Sequence, residues 1–184
     1  MSTTRRTILA AASASIATLP LASASLPALA LEPAVESLLR KSELSNAALM
    51  RGDADTYMSM VAMSDDFTLM SPFGGPPSHG APYAPERIEA IGRFFRNGTF
   101  AMEVVATYGS PDMVVLVVIE RTNVEVGGLP AQDWALRVTL VYRRDGADWR
   151  LVHRHADPLV DPVSVEYAAA IARGERPPTA SAQR

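Results

Sequence analysis

The chain has 184 residues, of which 48% are hydrophobic, so we expect a single domain with a sizeable core. Its net charge of −3 at pH 7 and its lack of a basic run argue against nucleic acid and anionic membranes as partners. The absence of cysteine excludes disulfides, thiolate metal sites, a cysteine nucleophile and a lipoprotein anchor.

Residues 1–30 read as an export signal rather than as part of the fold. Arg5 and Arg6 precede a weakly hydrophobic stretch of alanine, serine and leucine, which is typical of twin-arginine signals. We expect the export machinery to bind these two arginines and the mature protein to be periplasmic or secreted. Cleavage is expected after Ala24 or Ala30, with Ala30 favoured. An uncleaved membrane anchor is the alternative, but the prolines and serines make a poor spanning helix.

Three helices are predicted in the first half of the remaining chain. Residues 33–51 carry apolar side chains at helical spacing, and Gly52 can end this helix. Asp53 can cap a short second helix that contains Tyr57. A third helix is predicted from Pro85.

Strands dominate the second half. The predicted strands are 67–70, 99–108, 113–126, 134–144 and 149–156, of which the last four form an antiparallel run. Residues 71–85 hold five prolines and three glycines, which predicts a long loop without regular structure. We therefore expect one domain over residues 33–160, followed by a C-terminal helix and a disordered tail over residues 161–184.

The last two strands bring two histidines onto one face. Asp145-Gly146 is a hairpin signal, and the predicted turn places Val138 opposite His153 and Leu136 opposite His155. In this register both imidazoles share the apolar face of the sheet. A slip by one residue would instead set them beside Arg137 and Thr139.

The whole pattern is similar to a known superfamily. The segments that carry the resemblance are Gly52-Asp53, Asp65-Asp66-Phe67, Pro72-Phe73-Gly74 and the closing segment RRDGADWRLVHRH. Together with the order of the elements, they resemble the nuclear transport factor two-like superfamily, in particular its SnoaL-like and ketosteroid-isomerase-like bacterial members. The resemblance covers about residues 35–158.

The resemblance implies an α+β fold in which a cone-shaped, curved antiparallel sheet wraps around three N-terminal helices as a cystatin-like roll. It implies a pocket between sheet and helices for a small, largely apolar organic molecule, and homodimers formed through the outer face of the sheet. The chain is then a ligand-binding domain that acts as a cofactor-independent lyase or isomerase. A non-catalytic ligand-binding or dimerisation module of the same fold is the alternative, because one fold serves many functions.

The candidate site residues follow from these expectations. The catalytic candidates are His153, His155, Tyr57 and Asp66, because imidazoles carry protons near neutral pH and carboxyl and phenol groups can orient or polarise. The ligand-binding candidates are Asn46, Phe73, Trp134, Tyr142 and Trp149. His153, His155 and Asp157 form an alternative metal trio, although we expect neither a metal nor another cofactor.

Overall fold

The computed structural model describes residues 28–80 and 84–175. The predicted export signal up to residue 27, including Ala24, and the predicted tail from residue 176 lie outside the described residues. The helices are α1 (Ala28–Met50), α2 (Ala54–Met60), α3 (Pro85–Phe94) and α4 (Val165–Ala172). The strands are β1 (Met63–Met70), β2 (Ser78–His79), β3 (Phe95–Arg96), β4 (Ala101–Gly109), β5 (Met113–Val126), β6 (Leu129–Asp145) and β7 (Asp148–Pro158).

The predicted cap of the second helix and the predicted start of the third helix at Pro85 are confirmed, whereas α1 begins at Ala28, five residues before the predicted start. Gly52 follows α1 with a φ of +88°, a conformation that glycine adopts without steric cost. The Asp53 carboxylate accepts a hydrogen bond from the backbone N–H of Thr56 and so caps α2. These two features turn the chain sharply, so α1 and α2 pack against each other.

The strands form one strongly curled sheet in the order β2-β1-β7-β6-β5-β3, with β4 also paired to β5. The antiparallel run from β4 to β7 is confirmed. One pair departs from the prediction, because β1 runs parallel to β7. A parallel pair needs a long connection, and here one helix and five strands separate β1 from β7 along the chain.

The inner face of the sheet, which faces the helices, holds the core. Alternate residues of β5, namely Val114, Leu116 and Val118, are fully buried, as the two-residue period of a strand requires. These residues and their neighbours on β6 and α1 form the main cluster. The α+β fold with its curved sheet around the N-terminal helices is therefore confirmed.

The predicted register of the final hairpin is wrong. The turn pairs Asp145 with Asp148, and Tyr142 lies opposite Leu151, two residues away from the predicted partner. A β-bulge at Val152 then inserts one extra residue, so that Val141 lies opposite His153. Because side chains alternate along a strand, one inserted residue moves every later side chain of β7 to the opposite face.

Two further segments differ from or extend the prediction. Within residues 71–85, Ser78 and His79 form β2, a two-residue strand paired to the end of β1, so this loop is not wholly irregular. After β7 the chain forms α4, whose Val165, Tyr167 and Ile171 are exposed. None of the helices in the described ranges is long and apolar enough to cross a membrane.

Candidate functional site

An apolar cavity of about 200 Å³ opens between the N-terminal helices and the inner face of the sheet. It lies beside the second core cluster of Leu49, Met50, Val124 and Val126. The apolar residues that line it are Leu49, Met50, Met63, Phe67, Leu69, Pro72, Phe73, Ile91, Phe95, Phe100, Val124, Trp134 and Leu136. A concave, mostly apolar cavity with a few polar groups is the usual form of a small-molecule site.

A buried ion pair supplies the charge in this cavity. Glu120 on β5 and Arg154 on β7 both line it. The Arg154 guanidinium donates two parallel hydrogen bonds to the Glu120 carboxylate, Nη1 to Oε1 at 2.8 Å and Nη2 to Oε2 at 2.6 Å. The Glu120 side chain is 4% exposed and that of Arg154 15%. Burial opposes the charge on Arg154, but the adjacent carboxylate outweighs it and raises the pKa of the guanidinium.

The ion pair exists because both residues point inward. Glu120 continues the buried alternation of Val114, Leu116 and Val118 along β5. The bulge at Val152 turns Arg154 toward the same face, two strands away. Bidentate pairing fixes both side chains in plane, which suits a buried position better than a single contact would.

Polar residues of α1 form a second buried group next to the cavity. The Ser42 hydroxyl donates to the carbonyl of Leu38 at 2.7 Å, so the Tyr142 hydroxyl is the donor in its 2.8 Å contact with Ser42 Oγ. Burial raises the pKa of Tyr142 to about 12. Asn46 donates to the Ser42 carbonyl at 2.9 Å and also lines the cavity.

Aromatic rings mark the opening of the cavity. Phe73 is 52% exposed and lies three residues after the end of β1. Its ring packs edge-on against Trp134, with centroids 5.5 Å apart, and against Phe94 at 5.4 Å. Phe73 is the most exposed of the residues that line the cavity, so its ring lies at the surface side of the lining.

Four of the predicted site residues meet at this cavity. Tyr57, Asn46, Phe73 and Trp134 all line it. Tyr142 does not, because its hydroxyl is bonded to Ser42 within the core. Trp149 lies on the inner face at the far end of the hairpin, where the Arg144 guanidinium stacks 4.9 Å from the ring centroid.

Both histidines lie on the outer face of the sheet, so the expectation that they face the interior is wrong. His153 Nδ1 is 2.7 Å from the Thr68 hydroxyl, and His155 Nε2 is 3.3 Å from Asp157. The bulge at Val152 is the physical reason for this reversal. Within the described ranges no three histidine, cysteine, aspartate or glutamate side chains are arranged to hold a metal ion, and this includes the trio ending at Asp157.

Asp66 is also separate from the cavity. Its carboxylate accepts two hydrogen bonds from Arg143, at 2.8 and 3.0 Å, on the exposed surface. The Arg143 guanidinium lowers the pKa of Asp66 to about 2. This carboxylate is therefore ionised and paired at neutral pH, away from the cavity.

Glu120 and Arg154 were missed by reasoning from the sequence. Glu120 carries a usable signal, because it shares the parity of the buried aliphatic residues in the apolar run of β5. A charged residue at a buried position implies a partner. Arg154 carries no such signal, because its inward direction depends on a bulge that the sequence does not mark.

The family model for the SnoaL-like domain matches residues 43–161. This match spans most of the chain and covers the cavity, the ion pair and the whole sheet. The chain belongs to the SnoaL-like domain family. The wider nuclear transport factor two-like assignment also agrees with solved structures of similar fold.

Three solved structures illustrate the fold of this SnoaL-like domain. A proposed dehydratase of the NTF2-like family from Streptomyces avermitilis is 22% identical, with a TM-score of 0.56 over 71% of this chain and 99% of that one. A protein with a cystatin-like fold from Caulobacter vibrioides is 14% identical, with a TM-score of 0.55 over 77% and 97%. The CaMKII hub of S. rosetta is 17% identical, with a TM-score of 0.52 over 67% and 95%. No curated protein sequence matches the chain significantly. These likenesses establish the fold of the SnoaL-like domain but no activity.

Proposed function

We propose that this SnoaL-like domain binds a small, largely apolar organic molecule in the cavity beside Glu120 and Arg154. The observation that carries the proposal is a cavity of about 200 Å³ whose lining is apolar except for a few polar groups, among them the buried Asn46 and Glu120. Burial of apolar ligand surface supplies affinity, and the polar groups fix orientation. The small volume favours a ligand of one or two rings.

Binding can be tested by filling the cavity from one strand. Leu136 on β6 faces the cavity, whereas Val141 on the same strand faces the outer side. We expect Leu136→Trp to reduce the affinity for naphthalene, measured by equilibrium dialysis, at least tenfold, and Val141→Trp to leave it unchanged. His153→Ala and His155→Ala serve as further controls that should bind normally. If the wild-type protein does not retain naphthalene, the cavity is not a binding site.

A cofactor-independent lyase or isomerase activity is the second candidate. Tyr57 and Glu120 line the cavity, so they replace the histidines as the groups able to take or return a proton. The likeness to a proposed dehydratase is in keeping with this chemistry. In D₂O, we expect an acid–base enzyme to accelerate deuterium exchange next to the carbonyl of 2-tetralone. Binding of 2-tetralone without such acceleration would assign the non-catalytic alternative.

The outer face of the sheet supports a second proposal, self-association with another copy of the chain. Val115, Val117 and Ile119 of β5 point to this side beside Val141, and all are half-buried. The CaMKII hub and association domains share the fold, and their names describe assembly. The Val141→Trp variant tests this interface too, since its elution and light scattering should shift from dimer to monomer. An unchanged mass, or a monomeric wild type, would contradict the proposal.

Export remains a proposal that rests on residues 1–30. The basic pair Arg5 and Arg6 and the following small-residue stretch support a twin-arginine signal and a periplasmic or secreted protein. Replacing both arginines with lysine should retain the full-length chain in the cytoplasm of a Gram-negative host. A mature protein in the periplasm of that variant would argue against the twin-arginine route.

A further inference from the structure

The cavity contains two side chains of opposite charge that are paired with each other. Of the described residues that line it, Glu120 is the one acidic side chain and Arg154 the one basic side chain. Their bidentate contact joins both carboxylate oxygens to both terminal nitrogens. The cavity is therefore polar at this point yet has no net charge.

Hydrogen-bonding capacity remains after the pair has formed. A guanidinium has five N–H donors, and a carboxylate oxygen can accept more than one hydrogen bond. Within the described part of the chain, the contacts between Arg154 and Glu120 account for all the side-chain hydrogen bonds of either residue. A ligand group placed against the edge of the pair meets donors and acceptors side by side.

A charged ligand group is expected to bind weakly at this edge of the ion pair. A carboxylate would gain from Arg154 but would lie next to the Glu120 carboxylate, and an ammonium would meet the reverse problem. In either case the ligand would lose its hydration without a net opposite charge to compensate, in surroundings where an uncompensated charge is costly. An uncharged group with one donor and one acceptor avoids both penalties.

We propose that Glu120 is the specificity-determining residue of the cavity, and that it selects ligands with an uncharged polar group carrying both a donor and an acceptor, as a primary amide does. This inference rests on the proposed binding function and names the ligand class for that same cavity. Arg154 supplies the donors, Glu120 supplies the acceptors, and the neutrality of the pair excludes carboxylates and amines.

The test compares four naphthalene compounds that differ only in their polar group. Naphthalene, 2-naphthamide, 2-naphthoate and 2-naphthylmethylammonium are titrated by equilibrium dialysis at pH 7.5. We expect the wild-type protein to bind the amide at least tenfold more tightly than the carboxylate or the ammonium compound. Equal affinities for the three polar compounds would overturn the inference but leave the proposed function intact, whereas loss of all binding, including that of naphthalene, would remove the proposed function itself.

A substitution of nearly equal size tests the role of Glu120 directly. Glu120→Gln removes the negative charge and leaves Arg154 as an unmatched cation in the cavity. We expect the affinity for 2-naphthoate to rise at least tenfold and to overtake that for 2-naphthamide. The matched control is Asp157→Asn, which removes the same charge on the outer face and should leave the order of affinities unchanged. An unchanged preference in a folded Glu120→Gln protein would contradict the assignment.

A second variant keeps the test decisive if Glu120→Gln does not fold. In Glu120→Gln/Arg154→Gln both charges are absent, so the cavity stays neutral and keeps donors and acceptors. We expect this variant to retain the preference for the amide over the carboxylate. If it binds the carboxylate more tightly than the amide, the neutrality of the pair is not the basis of selection.

Discussion

The two faces of β7 use the same kinds of side chain for different purposes. On the inner face Arg154 meets Glu120 in a bidentate ion pair with both side chains mostly buried. On the outer face Arg137 of β6 approaches Asp157 at 3.9 Å, and the side chains are 61% and 48% exposed. Both pairs join an arginine to a carboxylate and both include a residue of β7, but the inner pair is bidentate and buried, whereas the outer pair makes one longer contact on the exposed surface.

Burial changes what each pair can do. In water the attraction between two ions is screened, and holding two long side chains in place costs entropy, so an exposed pair contributes little to stability. In the interior both ions have lost their hydration, so each depends on the other. Loss of one partner of the inner pair should therefore destabilise the fold strongly, whereas loss of one partner of the outer pair should have little effect on stability.

The largest expected effect comes from breaking the inner pair. Arg154→Met keeps much of the side-chain volume but leaves the Glu120 carboxylate buried without its partner. We expect the free energy of unfolding, measured by urea denaturation at pH 7.5, to fall by about 3–5 kcal/mol. A variant that fails to fold under these conditions would mark the upper end of this effect.

The matched change on the outer face sharpens the comparison. Arg137→Met should alter the free energy of unfolding by at most about 1 kcal/mol. Replacing the inner pair as a whole, in Glu120→Leu/Arg154→Met, should recover most of the stability lost in Arg154→Met, because no buried charge remains. Equal losses in Arg154→Met and Arg137→Met would show that water reaches the inner pair as readily as the outer one.

The same comparison explains how far the sequence could predict the site. Strand patterns and the turn signals between them were sufficient to predict the antiparallel run from β4 to β7, and the capping chemistry of Asp53 was sufficient to place α2. The curvature of the sheet was expected only from the family resemblance. The lining residues on helices and loops, such as Tyr57 and Phe73, were also anticipated, because their positions depend on local elements.

The face of β7 could not be predicted in the same way. One bulge residue, Val152, decides whether His153 or Arg154 points into the cavity. Nothing in the side chain of a valine signals a bulge. Whether β7 is bulged at Val152 depends on how this strand pairs with β1 on one side and β6 on the other. The buried Glu120 offered the better clue: an inward carboxylate needs a cation, and an inward Arg154 supplies one only if the strand is bulged.

A smaller effect on the free energy of unfolding is expected from Tyr142, a neutral group that is buried on the inner face. Tyr142 is 7% exposed, and burial raises its pKa to about 12 from an ordinary value of 10.0. Between these two pH values the folded state holds the phenol proton while the unfolded state releases it. The folded protein thus binds more protons, and its stability falls as pH rises through this window.

The Tyr142→Phe variant tests this assignment on the inner face. At pH 8 we expect it to be less stable than the wild type by about 1 kcal/mol, because the buried hydrogen bond to Ser42 is lost. By pH 12 the wild type should have lost about 2 kcal/mol that the variant retains. The two curves of unfolding free energy against pH should therefore cross between pH 10 and 12. Parallel curves would mean that folding does not raise the pKa of Tyr142, because water reaches its hydroxyl in the folded protein.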